Sequence, residues 1–142
     1  MDADGSHTPE FIPKLLKFRH EYQIVVASSY VGNGKTENSS PLILMSRILN
    51  WTYAYVLSIP CKDISNSFKI YRSIDIKPLK LKAKNFDIVE ELIYKVCQNK
   101  PNTKIKEVPF FFKKRMFGKT KRNLFVFVFT FIFTMFKLRF LM

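Results

Sequence analysis

Two aspartates near the start of the chain, Asp2 and Asp4, are separated by a single residue and have the chemistry to hold a metal ion. Hard cations such as Mg²⁺ and Mn²⁺ prefer carboxylate oxygens and usually take waters or substrate phosphates as their other ligands. An Asp-x-Asp pair at the end of a strand can therefore hold a cation against a diphosphate. Aspartate is also common in solvated turns, so the alternative is a frayed acidic terminus. Asp2 and Asp4 are the candidate ligands for Mg²⁺ or Mn²⁺.

Basic side chains supply the candidate phosphate ligands. Arg115 and Lys121 flank Gly118, where the backbone can come close to a phosphate. Arginine offers a bidentate fork to phosphate oxygens, and lysine offers a point charge. Arg47 interrupts an apolar helical pattern and needs a partner there, either a substrate phosphate or an acid such as Asp63.

The net charge of +13 is concentrated toward the end of the chain, because no Asp or Glu follows Glu107. Such a basic tail suits anionic lipid head groups, polyphosphates or nucleic acid.

The length of 142 residues fits one domain with a modest core. The two cysteines, Cys61 and Cys97, form neither a C-x-x-C pair nor a disulfide framework, which favours a reducing compartment.

The order of predicted elements indicates an α/β fold. Thr8 and Pro9 begin a helix that should end near His20, and a buried strand follows. Pro41 begins a long apolar helix. Pro109 places the last predicted strand at a sheet edge or bulge. The predicted strands are 22–27, 68–72 and 104–112, and the later helices are 41–57 and about 87–98.

Residues 124–136 form an uncharged, Phe-rich run. As a helix it would rise only about 20 Å, short of a hydrocarbon core of roughly 30 Å. We therefore predict a membrane-proximal helix that lies in the interface or begins a longer span. Its Phe, Val and Thr content also suits a strand. The predicted division is a domain over 1–121 and an apolar membrane-associated segment over 122–142.

Several short blocks, in one order along the chain, resemble family 2 glycosyltransferases of the polyprenol-phosphate, or dolichol-phosphate mannosyltransferase-like, branch. The blocks, with the family patterns they resemble, are D-A-D-x-S-H-x-P-E at 2–10, G-S-R-Y-V at 27–31, S-R-x-x-N at 46–50, D-x-x-S-G-F-R-x-Y-R at 63–72, E-V-P at 107–109 and R-x-x-G-x-S-K at 115–121. The chain departs from these patterns at Ser29 and Lys69, which replace arginines, and also at Asn66.

The resemblance implies a GT-A, Rossmann-like domain of which this chain holds the carboxy-terminal part, without the first nucleotide-binding strands. It implies transfer of a sugar from a nucleotide-sugar to a dolichyl or undecaprenyl phosphate at the cytoplasmic face of a membrane. Asp2 and Asp4 would bind the metal, and Arg47, Arg115 and Lys121 would bind phosphates. We expect little activity from the chain alone unless a separate N-terminal half completes it.

A polyprenyl phosphate is already anionic and needs no general base, so we assign Glu90 and Glu91 to a plain helix face. His7 is expected to pack or cap. Two other functions stay open, namely a non-catalytic membrane-associated remnant or accessory protein, and a basic nucleic-acid-binding module. The apolar run near the end of the chain argues against nucleic acid, which ranks last.

Overall fold

The computed structural model describes residues 1–114 and 123–141 and has a mixed α/β architecture. The predicted alternation of helices and strands is confirmed, with boundaries shifted by a few residues. The GT-A assignment and the division at residue 121 stay predictions. The elements are a 3₁₀ turn Pro9–Phe11, helices α1 (Ile12–Leu16), α2 (Ser40–Leu57), α3 (Ser73–Ile76), α4 (Ile88–Asn99) and α5 (Leu124–Phe140), and strands β1 (Ile24–Ser28), β2 (Lys35–Thr36), β3 (Lys69–Tyr71), β4 (Ile105–Pro109) and β5 (Phe111–Phe112).

Strand β1 is the centre of the main sheet, and each of its residues is buried. It pairs antiparallel with β3, with Val25 opposite Ile70, and parallel with β4, with Val25 opposite Lys106. Strand β4 lies at an edge of this sheet, as Pro109 predicts, because proline cannot donate a ladder hydrogen bond.

The two faces of the sheet bury different clusters, as the alternation of side chains along β1 requires. Ile24 and Val26 face a large apolar core that α2, α4 and α5 complete. Val25 and Ala27 face a smaller cluster with Leu15 of α1. The three long helices therefore cover one face of the sheet, and the first helix covers the other.

A second, two-stranded parallel sheet joins β2 to β5. The predicted strand over 104–112 divides at Phe110, whose carbonyl accepts a hydrogen bond from Lys35 N–H at 3.0 Å. Gly34 lets the backbone before β2 pass close to the end of β1, since a Cβ there would lie 2.6 Å from the Ser28 carbonyl oxygen. The short sheet places Thr36 and Phe112 beside the end of β1.

Helix α5 begins at an N-cap in which the Asn123 side chain accepts a hydrogen bond from Phe125 N–H. Tyr53 of α2 donates its hydroxyl to the Phe131 carbonyl at 2.8 Å, so the predicted apolar segment packs on α2 as a helix. Within residues 1–114 and 123–141, no helix is both long enough and apolar enough to cross a bilayer. The membrane-proximal role of α5 stays a prediction.

Candidate active site

A cleft of about 270 Å³ opens at the carboxyl end of β1. The end of β1, the start of the chain, helix α2, the loop before β3 and helix α4 all contribute to its wall. Residues that are distant in sequence but belong to the family-like blocks therefore meet at one place. The polar lining consists of Asp2, His7, Ser29, Tyr30, Thr36, Asn38, Ser46, Asp63, Ser65, Asn66, Ser67 and Glu90.

Asp63 is a buried carboxylate that lines this cleft. It accepts a hydrogen bond from Ser29 N–H at 3.1 Å, while its own N–H donates to Glu107 at 3.1 Å. Burial raises the pKa of the Asp63 carboxyl, although the Ser29 hydrogen bond and the nearby Lys69 charge oppose the rise. Asp63 thus ties the end of β1 to the loop before β3.

Lys69 holds the same loop from below. Its ammonium group donates to the Ile64 carbonyl at 2.7 Å and to the Asn66 carbonyl. Burial lowers the pKa of Lys69, and the nearby Cys61, Asp63, Glu90 and Glu107 oppose the change. The sequence marks Lys69 only as a replaced arginine, whereas the structure shows it binding two backbone carbonyls.

Asn66 of the same loop also has a structural role. Its amide donates to the Ala27 carbonyl at 2.7 Å, and its oxygen accepts from Phe68 N–H at 2.9 Å. Asn50 of α2 completes the wall, since it accepts from Ser65 N–H at 2.9 Å and donates to the Ser65 hydroxyl at 3.1 Å. The loop is thereby fixed to both β1 and α2.

The Asp-x-Asp segment is held differently. Asp2 lines the cleft and accepts a hydrogen bond from the Ser67 hydroxyl at 2.9 Å. Asp4 turns toward Ser6, accepting from its N–H at 3.0 Å and from its hydroxyl. His7 is buried, stacks on Phe68 and accepts from Asp2 N–H at 2.8 Å. Burial lowers the pKa of His7, so the neutral ring that this bond requires is favoured.

The described residues contain no group of three or more His, Cys, Asp or Glu side chains able to hold a metal ion together. Mg²⁺ is often bound by one or two carboxylates with substrate phosphates as further ligands. The donor set of Asp2 and Asp4 fits that chemistry. Of the two aspartates, Asp2 belongs to the lining of the cleft.

Arg47 is exposed, and its guanidinium lies over the Tyr30 ring at 5.3 Å from the centroid. Asp63 accepts its hydrogen bonds from Ser29 and Asn66, so the structure does not show the alternative pairing of Arg47 with Asp63. Because Tyr30 lines the cleft, Arg47 stands beside its rim. The other two predicted phosphate ligands, Arg115 and Lys121, lie outside the described residues.

The assignment of Glu90 and Glu91 to a plain helix face is wrong, since both side chains are buried. Glu91 accepts hydrogen bonds from Lys82 N–H at 2.8 Å and Ala83 N–H at 2.6 Å, and it pairs with Lys95. Glu90 lines the cleft. The sequence signal for this burial is the segment before α4. Because that segment forms no helix or strand, its backbone N–H groups need side-chain acceptors.

The chain matches no family model. It is similar over 87% of its length to the undecaprenyl-phosphate mannosyltransferase of Micrococcus luteus, at 27% identity. It is 33% identical over 85% of its length to the dolichol-phosphate mannosyltransferase of Pyrococcus furiosus, and 28% identical over 85% to that of Saccharomyces cerevisiae. The chain spans 51%, 34% and 47% of these three relatives respectively.

Proposed function

We propose that this chain, which belongs to the polyprenol-phosphate mannosyltransferase family of glycosyltransferases, takes part in transfer of a mannosyl group from a nucleotide-sugar to a polyprenyl phosphate. The observation that supports this best is the cleft, because residues from four of the separate family-like blocks line it. The match covers only 51% and 34% of the first two relatives, so the complete reaction is a proposal for this chain.

In the proposed reaction, a phosphate oxygen of the acceptor attacks the anomeric carbon, and the bond from that carbon to the nucleoside diphosphate breaks. The configuration at the anomeric carbon inverts. The acceptor oxygen is already ionised, so no side chain has to remove a proton. Asp2 and Asp4 would hold Mg²⁺ or Mn²⁺, which when bound neutralises charge on the departing diphosphate.

The wall of the cleft supports binding of a sugar ring. Ser65, Asn66 and Ser67 come from a loop fixed by Lys69 and Asn50, so their polar groups are presented by a rigid backbone. Pre-positioned hydrogen-bonding groups bind polar ligands without a further ordering cost. Arg47 at the rim is the candidate for a phosphate, together with Arg115 and Lys121.

We further propose that the chain works on a membrane surface, at the cytoplasmic face, where a polyprenyl phosphate presents its head group. Helix α5 supports this, because Phe125, Phe129 and Phe140 are strongly exposed. Exposed aromatic side chains together with the terminal Lys137 and Arg139 are typical of a helix in the interface.

The experiment is mannosyl transfer from nucleoside diphosphate mannose to a short-chain polyprenyl phosphate, with Mg²⁺ or Mn²⁺ present. We expect weak turnover from the chain alone, raised when the amino-terminal half of a relative is added as a separate polypeptide. Asp4→Asn and Arg47→Gln should each lower turnover by at least about tenfold. Glu21→Gln, which removes an exposed carboxylate near α1, is the matched control and should leave the rate unchanged.

Turnover unaffected by Asp4→Asn would contradict the metal role of the Asp-x-Asp segment. If neither the chain nor the mixture transfers mannose, and neither the nucleotide-sugar nor the polyprenyl phosphate shifts its melting temperature, the proposed function is wrong.

A further inference from the structure

A row of lysines lies outside the cleft, in the segment between α3 and α4. Lys80, Lys82 and Lys84 alternate with Leu81 and Ala83, and all three lysines are exposed. No acidic residue interrupts the row. Within the described part of the chain, their ammonium groups form no ion pair. The Cα atoms of residues two apart are separated by at most about 7 Å, so the three lysines lie close together along the backbone.

The backbone of the row is fixed even though it belongs to no helix or strand. The buried Glu91 carboxylate accepts the N–H groups of Lys82 and Ala83. Lys95, which also pairs with Glu91, donates to the Lys80 carbonyl. Leu79 packs against the main core. The contacts that hold the segment are thus made by its backbone and by Leu79, and the three lysine side chains are left to solvent.

The row adjoins a strongly apolar surface. Phe86 lies two residues after Lys84 and is 73% exposed. Lys137 of α5 reaches to 4.0 Å from Asp87, so the end of α5 lies next to the start of α4. That end of α5 presents Phe136 and Phe140, which stack on one another and are exposed. Exposed cationic and aromatic side chains therefore occur together near the junction of α4 and α5.

We propose that Lys80, Lys82 and Lys84 form a docking strip for anionic phospholipid head groups. Lysines held near an anionic bilayer attract it electrostatically, and adjacent exposed aromatic rings insert at the head-group level. A nucleic acid would also attract the lysines, but burying Phe86, Phe136 and Phe140 against a phosphate backbone gives no comparable gain. The strip refines the proposed membrane association by naming the lipid class and the residues that select it.

The test is co-sedimentation of the full chain with phosphatidylcholine vesicles, with and without phosphatidylserine. The row variant is K80Q/K82Q/K84Q. The charge-matched control is K14Q/K17Q/K106Q, on the opposite face of the sheet, where α1 packs and Lys106 lies over Phe18. We expect the row variant to lose about tenfold or more of its partitioning onto phosphatidylserine vesicles at low salt, and the control to lose about twofold. Both variants should melt within a few degrees of the wild type.

Equal losses in the two variants would overturn the proposal, because overall charge would then explain the binding. Selective loss of single-stranded DNA binding by the row variant, with vesicle binding unchanged, would assign the strip to nucleic acid instead. If the wild-type chain co-sediments with neither kind of vesicle, both the docking strip and the membrane part of the proposed function are wrong. No sugar or nucleotide enters the assay, so its result is separate from that of the transfer experiment.

Discussion

Two acid-bearing segments meet at the same cleft, but the fold holds them very differently. The loop from Asp63 to Lys69 is tied to β1, α2 and β4 by contacts that are buried or partly buried. The segment around Asp2 and Asp4 is tied by the Asp2 N–H bond to the buried His7, by an exposed bond to Ser67 and by a local turn at Ser6. We call the loop from Asp63 to Lys69 the wall and the segment around Asp2 and Asp4 the arm; the wall is fixed to three elements of the fold, whereas the Asp2 carboxylate of the arm makes an exposed contact.

The largest loss of stability should follow from removing the Lys69 ammonium group, which binds the loop from Asp63 to Lys69. Lys69→Met leaves the Ile64 and Asn66 carbonyls without their donor, which should lower the free energy of unfolding by about 3 kcal/mol. Lys69→Arg keeps a donor and should lose less. Urea unfolding measures both. A loss below about 1 kcal/mol in Lys69→Met would show that the loop does not depend on this contact.

Asn66→Gly should destabilise this chain by about 2 kcal/mol. The substitution removes the donor to the Ala27 carbonyl and the acceptor for Phe68 N–H, and it adds backbone entropy to the unfolded state. Thermal unfolding compares it with Asn38→Gly, in an exposed loop position. Equal small losses at both sites would contradict the structural role of Asn66.

The contributions of Asp63 and Glu91 to the free energy of unfolding should change with pH in opposite directions. Burial raises the pKa of Asp63, so its native form binds the proton more tightly, and the stability of the wild type relative to Asp63→Asn should fall as the pH rises through that pKa. Burial opposes the change at Glu91, but hydrogen bonds from Lys95, Lys82 and Ala83 lower its pKa overall. Its stabilisation should be present above its ordinary pKa and lost as the pH falls through the lowered one.

Unfolding free energies of wild type, Asp63→Asn and Glu91→Gln across the acid range therefore give two difference curves of opposite slope. Each difference should stay below about 2 kcal/mol. Parallel curves would contradict the burial of Asp63 as the dominant influence on its titration.

The smallest stability effect should be at the arm. Asp2→Asn changes an exposed side chain whose hydrogen bond from Ser67 an amide oxygen can also accept, so the free energy of unfolding should change by less than about 0.5 kcal/mol. The same variant should weaken Mn²⁺ binding in the presence of a nucleoside diphosphate, measured by calorimetry. Unchanged Mn²⁺ binding would remove Asp2 from the metal site, and a large loss of stability would show that the exposed Asp2–Ser67 bond matters more to folding than expected.

Much of the fold could be predicted from local pattern. The buried β-branched strand, the apolar helix after Ser39 and the edge position of the strand with Pro109 depend on periodicity and backbone chemistry, which neighbouring residues already determine. The division of the last strand at Phe110 was missed because it depends on pairing with Lys35, far away in the chain.

The sequence by itself was enough to predict the similarity to polyprenol-phosphate mannosyltransferases, because the order of short blocks can be read without knowledge of their contacts. It also determined the candidate acids and arginines by residue type. Only the tertiary structure decided that Lys69 and Asn66 bind backbone carbonyls, that Glu90 and Glu91 are buried, and that Asp2 meets the cleft while Asp4 turns to Ser6. The physical reason is that burial and hydrogen-bond partners come from residues distant in the chain, and residue type alone does not specify them.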